Sequence, residues 1–399
     1  MPKRIVLCFD GTWNTPSDSA DLDALDPNHS SQKDEQFDKV DPNAGIETNV
    51  CRFFRAVLSG DERDSSSDDM FQTKWYDKGV GTDWWDRVPG GAFGLGLSRK
   101  IREGYKKLSD SYDDGDHVFV FGFSRGAYTA RSLVGFIRNC GLLPKGSLTK
   151  VDPDANDALM EAYEIYRTRD RSADAERARI FRQARDSRII PIKFLGVWDT
   201  VGALGIPIES FGPFNKEQLE FHDTELSGIV ENAYHAIAVD EHRKPYEAAL
   251  WDPTEKPKQV IEQRWFIGAH ADIGGGYNDR RLSDITLRWM QDKAQSCGLR
   301  LNPAGIPNVT NANADGSVAD SFRAFLGGLF SLFHTRYYRP VGRLRFGQEI
   351  VDATLQDRRS RDLTYRPQNP GLTEAMLASE AAHDPVEVAS SAPSPLGSA

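Results

Sequence analysis

The chain has 399 residues, 39% of them apolar and 10% aromatic, which is enough to bury a sizeable core and excludes wholesale disorder. Its 59 Asp and Glu outnumber 49 Lys and Arg, giving a net charge of −10, and no basic stripe of the kind nucleic-acid binders need is present, so DNA and RNA are poor partner candidates. At about 150 residues per domain the length allows two or three domains, but large α/β enzymes often spend such a length on one elaborated core.

Read in chain order, Arg4 to Phe9 is a buried-strand run that delivers a polar loop, Asp10-Gly11-Thr12-Trp13-Asn14. Its interruption at Asp10, with no small-residue cleavage site after it, separates it from a secretion signal. Residues 15–44 read as an exposed polar loop. Ile46, Val50, Phe53, Phe54 and Val57 then form the stripe of an amphipathic helix ended by Gly60. Phe71 to Tyr76 is a second strand, closing on Gly79-Val80-Gly81-Thr82, and a helix marked by Leu97, Ile101, Tyr105 and Leu108 follows. Val118 to Phe121 is the clearest strand, with a helix carrying Ala127, Ala130, Val134 and Ile137 directly after it. Two charged helical segments over 155–187 suggest an insertion over the sheet, within about 141–188, and Ile189 to Val197 returns as a strand ending at Trp198-Asp199-Thr200. Helical periodicity is expected over Leu226 to Val239, a strand over Val260 to Ile267, and a last good helix, capped by Ser283 or Asp284, to about Gln295.

Alternation at this spacing predicts an α/β fold, a mainly parallel sheet with helices on both faces and helical insertions as a cap, the second at about 300–340. The expected catalytic domain is 1–365, with 366–399 a small, polar, proline-bearing disordered tail. Phe325 to Phe333 is the nearest approach to a membrane span, but it is far short of the roughly 18 apolar residues required. It reads as a buried core segment, with a lid or acyl-chain wall as the alternative. Cys8, Cys51, Cys140 and Cys297 lie far apart without a CxxC pair, so a reducing cytosol is the expected location.

The polar motifs fall at carboxyl ends of strands, where open α/β sheets bind ligands. Gly122-Phe123-Ser124-Arg125-Gly126, between a strand and a helix, has the context of a nucleophile elbow, in which a tight turn exposes the serine and the glycines let neighbouring backbone pass. A serine hydroxyl needs a base and an acid to orient that base, and in this fold class they follow in the order Ser, Asp or Glu, His. His270 is the base candidate, because it ends a strong strand and is followed by a glycine-rich loop, Gly274-Gly275-Gly276. Asp199 is the preferred acid, Asp240 its main competitor, and Asp272 a residue that would orient the His270 loop. The Arg125 N–H and one from Gly11 or Thr12 would make the oxyanion hole. A rival from another class takes Asp10 as the nucleophile of a Mg²⁺-dependent phosphatase with Asp199 and Asp272 as ligands, although such enzymes want a second Asp where Thr12 stands.

Phe9 to Asn14, Asp77 to Thr82, Gly122 to Ala127, Gly196 to Gly202 and His270 to Tyr277 together resemble the motif set of the α/β-hydrolase-like family that includes the type VI secretion phospholipase effectors. The resemblance spans residues 5 to about 340. It implies hydrolysis of carboxylic esters, phospholipids for the bacterial effectors, with Ser124 matching the nucleophile, His270 the base and Asp199 standing in a matching motif. The chain departs from the secreted effectors in showing no toxin-delivery module and no long membrane-inserting region. The expectation is a serine ester hydrolase without cofactor or metal, acting on a small-molecule or lipid ester with at most peripheral membrane contact. A catalytically silent scaffold for protein partners is the remaining alternative.

Overall fold

A computed structural model describes residues 2–11, 46–60, 70–79, 92–168, 171–201, 226–252, 259–308, 313–344 and 349–378. Its described strands are β1 (Arg4–Phe9), β2 (Gln72–Asp77), β3 (His117–Phe123), β4 (Ile192–Trp198), β5 (Val230–Ala238), β6 (Val260–Phe266) and β7 (Glu349–Val351). They form one parallel sheet in the order β2-β1-β3-β4-β5-β6-β7. The winding direction reverses between β1 and β3, so a crevice opens at their carboxyl ends, the usual ligand position in an open α/β sheet. Phe9 lies opposite Gly122 in the register, which brings the loop after β1 beside Ser124.

Both faces of the sheet are covered, and side-chain alternation divides the core accordingly. On β1, Ile5, Leu7 and Phe9 enter one cluster while Val6 and Cys8 enter the other. Helix α1 (Asn49–Ala56) lies on the second face through Phe53 and Phe54, started by the Thr48 side chain, which accepts from the Cys51 N–H at 3.1 Å. Helices α2 (Ala92–Ser111) and α3 (Arg125–Cys140) cover the first, where Tyr105 stacks on Phe136. The first insertion supplies α4 (Asp157–Arg167) and α5 (Arg171–Arg185), which pack behind α3 through Tyr163, Tyr166 and Phe181. It thickens that face instead of roofing the strand ends. Helix α6 (His270–Gly274) is a single turn, and α7 (Arg281–Ser296) returns to the face of α1.

Four sequence expectations are corrected. Residues 226–239 hold strand β5, which lies in the middle of the sheet with Ala233 to Ala238 buried on both sides, so apolar residues at helical spacing are there for burial rather than for a stripe. Helix α7 starts at Arg281, and Ser283 and Asp284 lie within its first turn instead of capping it. The Phe325–Phe333 segment is split. Short helices α8 (Ser321–Ala324) and α9 (Phe330–Phe333), joined by a 3-10 turn, bury Phe322 and Phe330 but leave Leu329, Leu332 and Phe333 in solvent. Ordered chain also runs past 365. After α10 (Ala353–Arg361), Asn369 is buried and α11 (Glu374–Ala378) seats Leu377 in a third cluster with Trp265 and Leu355. Residues 379–399 lie outside the described residues, as do 12–45 and 80–91, and with them the rest of the first two motif loops.

Candidate active site

Ser124 sits between β3 and α3 with φ 56° and ψ −118°, a backbone strain that the surrounding packing enforces. The flanking glycines are required by contact. A Cβ on Gly126 would stand 2.1 Å from the Phe9 carbonyl oxygen, and one on Gly122 would stand 2.4 Å from that of Gly126. The Ser124 N–H donates to the Trp198 carbonyl at 3.1 Å, tying the elbow to β4. Arg125 opens α3, so its N–H lies at the positive end of a sixteen-residue helix.

Ser124 Oγ lies 2.8 Å from His270 Nε2, and His270 Nδ1 lies 2.6 Å from Asp199 Oδ2. A carboxylate at Nδ1 accepts its proton and leaves Nε2 as the acceptor for the serine hydroxyl, the tautomer a general base requires. All three residues are buried, and the His270 ring is held between Phe123 at 4.7 Å and the edge of Tyr246 at 5.2 Å. Burial lowers the His270 imidazole below its ordinary range, and the Asp199 carboxylate offsets part of that shift.

Asp199 has a further partner that nothing in the sequence pointed to. Arg339, 1% exposed, donates from Nη1 to Oδ1 at 2.6 Å and from Nη2 to Oδ2 at 3.0 Å, and the Ala238 N–H donates to Oδ1 at 2.9 Å. Burial alone would raise the Asp199 carboxyl. The Arg339 guanidinium and then His270 outweigh it, and the carboxyl is held well below the usual carboxylate range. The same guanidinium donates to the carbonyls of Ala238 and Tyr246, so it also pins the chain after β5. Asp199 itself takes φ 36°, a left-handed turn at the end of β4 that aims its side chain along the strand ends.

The other acidic candidates have separate tasks. Asp240 accepts from the Gly268 N–H at 2.8 Å and the Tyr365 hydroxyl at 2.7 Å, holding the turn before His270 from behind. Asp272 accepts from the N–H groups of Ala269 and Ala319, and burial raises it to about 6. Asp10 is raised to about 6 by burial, against three donors, the Thr48 hydroxyl at 2.6 Å, the Tyr76 hydroxyl at 2.5 Å and the Gly11 N–H at 2.6 Å. The Gly11 N–H is therefore turned to its own neighbour and is not presented to an oxyanion; Thr12 lies outside the described residues. Glu241, missed in the sequence beside Asp240, is fully buried and accepts from Arg243, the Ser321 hydroxyl and, at 3.3 Å, the His270 N–H. His235, expected in a helical or connecting region, lies on β5 and accepts from the Thr200 N–H at 3.0 Å, behind the Asp199 turn. Among the described residues, no group of three or more His, Cys, Asp or Glu could hold a metal ion.

A parallel sheet with a strained serine at its switch point, linked through a histidine after β6 to an aspartate after β4, defines an α/β-hydrolase-like protein. Residues 3–293 match the family model for the catalytic domain of Tle1-like phospholipase effectors of the type VI secretion system. The chain belongs to that family. An uncharacterized protein of Saccharomyces cerevisiae is 26% identical over 277 residues, 63% of this chain and 33% of the relative. A crystal structure of an uncharacterized protein from Pseudomonas aeruginosa is similar with 19% identity and a TM-score of 0.44, covering 80% of this chain and 49% of that one. The structure of the Tle1 effector bound to the VgrG spike is similar with 20% identity and a TM-score of 0.40, covering 70% and 52%. The chain thus spans a third of the yeast relative's length and about half of each solved chain.

Proposed function

We propose that this protein is a serine ester hydrolase of the phospholipase kind, with Ser124 the nucleophile, His270 the general base and Asp199 the acid that orients it. The observation that carries this is the continuous bond chain from Ser124 Oγ through His270 to Asp199, set on a strained elbow. Ser124 Oγ attacks the acyl carbonyl carbon as its proton passes to Nε2. The oxyanion is met by the Arg125 N–H at the start of α3, whereas the Gly11 N–H is held by Asp10. The intermediate collapses as Nε2 returns the proton to the leaving alcohol, and a water activated by the same nitrogen hydrolyses the acyl-serine.

Membership of a phospholipase effector family supports a lipid ester as substrate, and the ring-lined wall of Phe123, Tyr246 and Phe325 beside His270 supports an acyl chain there. The aspartyl-phosphatase reading is disfavoured, because the Asp10 carboxylate is filled by three donors and Asp199 is committed to Arg339 and His270. No helix among the described residues is long and apolar enough to cross a membrane.

A fluorophosphonate probe tests the proposal. Wild-type protein labels with or without EDTA and Ser124→Ala does not; unlabelled wild type hydrolyses phosphatidylcholine or a short-chain ester, and neither the labelled protein nor Ser124→Ala does. Absence of labelling in folded wild-type protein, or undiminished labelling of Ser124→Ala, refutes it.

A further inference from the structure

The segment that carries Arg339 has a second peculiarity. From Ser321 to Gln348 the sequence holds five arginines and no Asp or Glu, in a chain where acidic residues outnumber basic ones by 59 to 49. Its apolar side chains divide in two directions. Inward, Phe330 meets Phe322 and Phe325, Phe325 meets Tyr246, and Tyr246 meets His270, an unbroken path of ring contacts at 5.2–5.9 Å to the candidate base. Outward, Leu329, Leu332 and Phe333 are 59%, 73% and 81% exposed, three large apolar side chains within one turn and a half. Isolated apolar residues on a surface need no explanation, but a cluster of this kind beside a candidate active site marks something that it touches.

The surrounding charge says what. Arg323, Arg336, Arg343 and Lys244 share two carboxylates, Asp320 and Glu247, so this side of an acidic protein is locally positive. Exposed Leu and Phe flanked by long cationic side chains and by Tyr337 and Tyr338 have the composition of a surface that enters the headgroup and acyl boundary of a bilayer. The cations answer anionic headgroups, each such contact contributing a modest, salt-sensitive attraction.

We infer that the Leu329–Phe333 face is the docking surface by which this protein settles on an anionic lipid bilayer, with the Tyr246–Phe325 wall placed between that bilayer and Ser124. The inference deepens the proposed hydrolase function and rests on it.

The test uses full-length Ser124→Ala protein, which leaves lipid uncleaved, sedimented with phosphatidylcholine vesicles with and without phosphatidylglycerol. The protein binds the phosphatidylglycerol vesicles more tightly, and added salt weakens that binding. The double variant Leu332→Ser/Phe333→Ser binds about tenfold more weakly or worse, and Arg323→Gln/Arg343→Gln loses the preference for phosphatidylglycerol. No sedimentation with either vesicle overturns the inference, as does a Leu332→Ser/Phe333→Ser variant that binds as well as the parent. So does a wild-type dimer in solution that this variant converts to monomer, since a second copy would then be what covers the face. Turnover of a soluble short-chain ester is measured in parallel with Ser124 restored. Turnover without vesicle binding refutes the docking face alone, and vesicle binding through this face without turnover refutes the hydrolase function alone.

Discussion

Replacing Arg339 by Met keeps the bulk of the side chain and removes its charge from a carboxylate that is itself wholly buried. Asp199 then keeps only the Ala238 N–H and His270 as donors, and the carbonyls of Ala238 and Tyr246 lose one each. Removing one member of a buried pair costs about 3–5 kcal/mol, because the other charge stays desolvated. With an unfolding entropy of roughly 2.1 cal/mol/K per residue over the 282 described residues, that corresponds to a melting temperature lower by about 5–8 °C. Catalysis changes in a separable way. Arg339 cancels part of the attraction of Asp199 for a proton on His270, so its loss raises the imidazole, which burial had lowered. The base must be neutral to accept from Ser124, and the acid limb of the pH–rate profile therefore moves to higher pH, by about one unit for 1.36 kcal/mol. At the plateau kcat falls about 10- to 100-fold with KM unchanged, the scale seen for groups that hold a working residue from behind. Arg339→Lys restores the charge but not the two-pronged contact, and recovers the pH profile better than kcat. The assay is short-chain ester hydrolysis from pH 4.5 to 9 on protein shown to be folded by circular dichroism. A plateau kcat within twofold of wild type and an unmoved acid limb would refute the reasoning.

Asp199→Asn leaves the geometry in place but favours the wrong imidazole tautomer, so kcat falls by about 10⁴-fold in the same assay. Gly126→Ala places a methyl group 2.1 Å from the Phe9 carbonyl oxygen, and the variant is expected to lose at least about 3 kcal/mol or to be recovered unfolded, as read by urea denaturation. Glu241→Gln leaves the buried Arg243 guanidinium without its countercharge; a cost of about 3–5 kcal/mol is expected, with native-like denaturation refuting the pairing. Asp272, raised to about 6 against roughly 3.9 in the unfolded chain, contributes stability that is full below the unfolded value and lost as pH rises through 6. Asp272→Asn does not titrate and can still accept from Ala269 and Ala319, so relative to wild type it gains about 2 kcal/mol between pH 4 and pH 8, measured by thermal melts at both.

The three residues of the bond chain were legible because each follows a strand-like apolar run in a glycine-bearing motif, a local signature that survives without knowledge of the fold. Both Asp199 and Asp240 fit the chain order, so Asp199 was preferred only because it ends a predicted strand, and the structure separates them by contact, His270 on one and Gly268 with Tyr365 on the other. Strand β5 was read as helix because Leu226, Ile229, Val230, Ala233, Tyr234 and Ile237 happen to fall at helical spacing. A strand buried on both faces has no alternation to betray it. Gly11 offered the right conformational freedom for an oxyanion donor, but the direction of its N–H is set by the Asp10 side chain one residue earlier, a choice between two acceptors that composition does not encode. Arg339 carries no local signal, because its role depends on a partner 140 residues away.

That separation also orders events during synthesis. Ser124, Asp199 and His270 all lie within residues 3–293, the part that matches the family model, whereas the guanidinium that neutralises Asp199 comes from beyond it. A nascent chain released only as far as the end of α7 has Ser124 and His270 in hand while the buried Asp199 carboxylate lacks the Arg339 guanidinium. The charge closest to that bond chain is settled only when the C-terminal segment folds back along the strand ends, so the ribosome delivers β1 to β6, and not yet β7, before it delivers a finished centre.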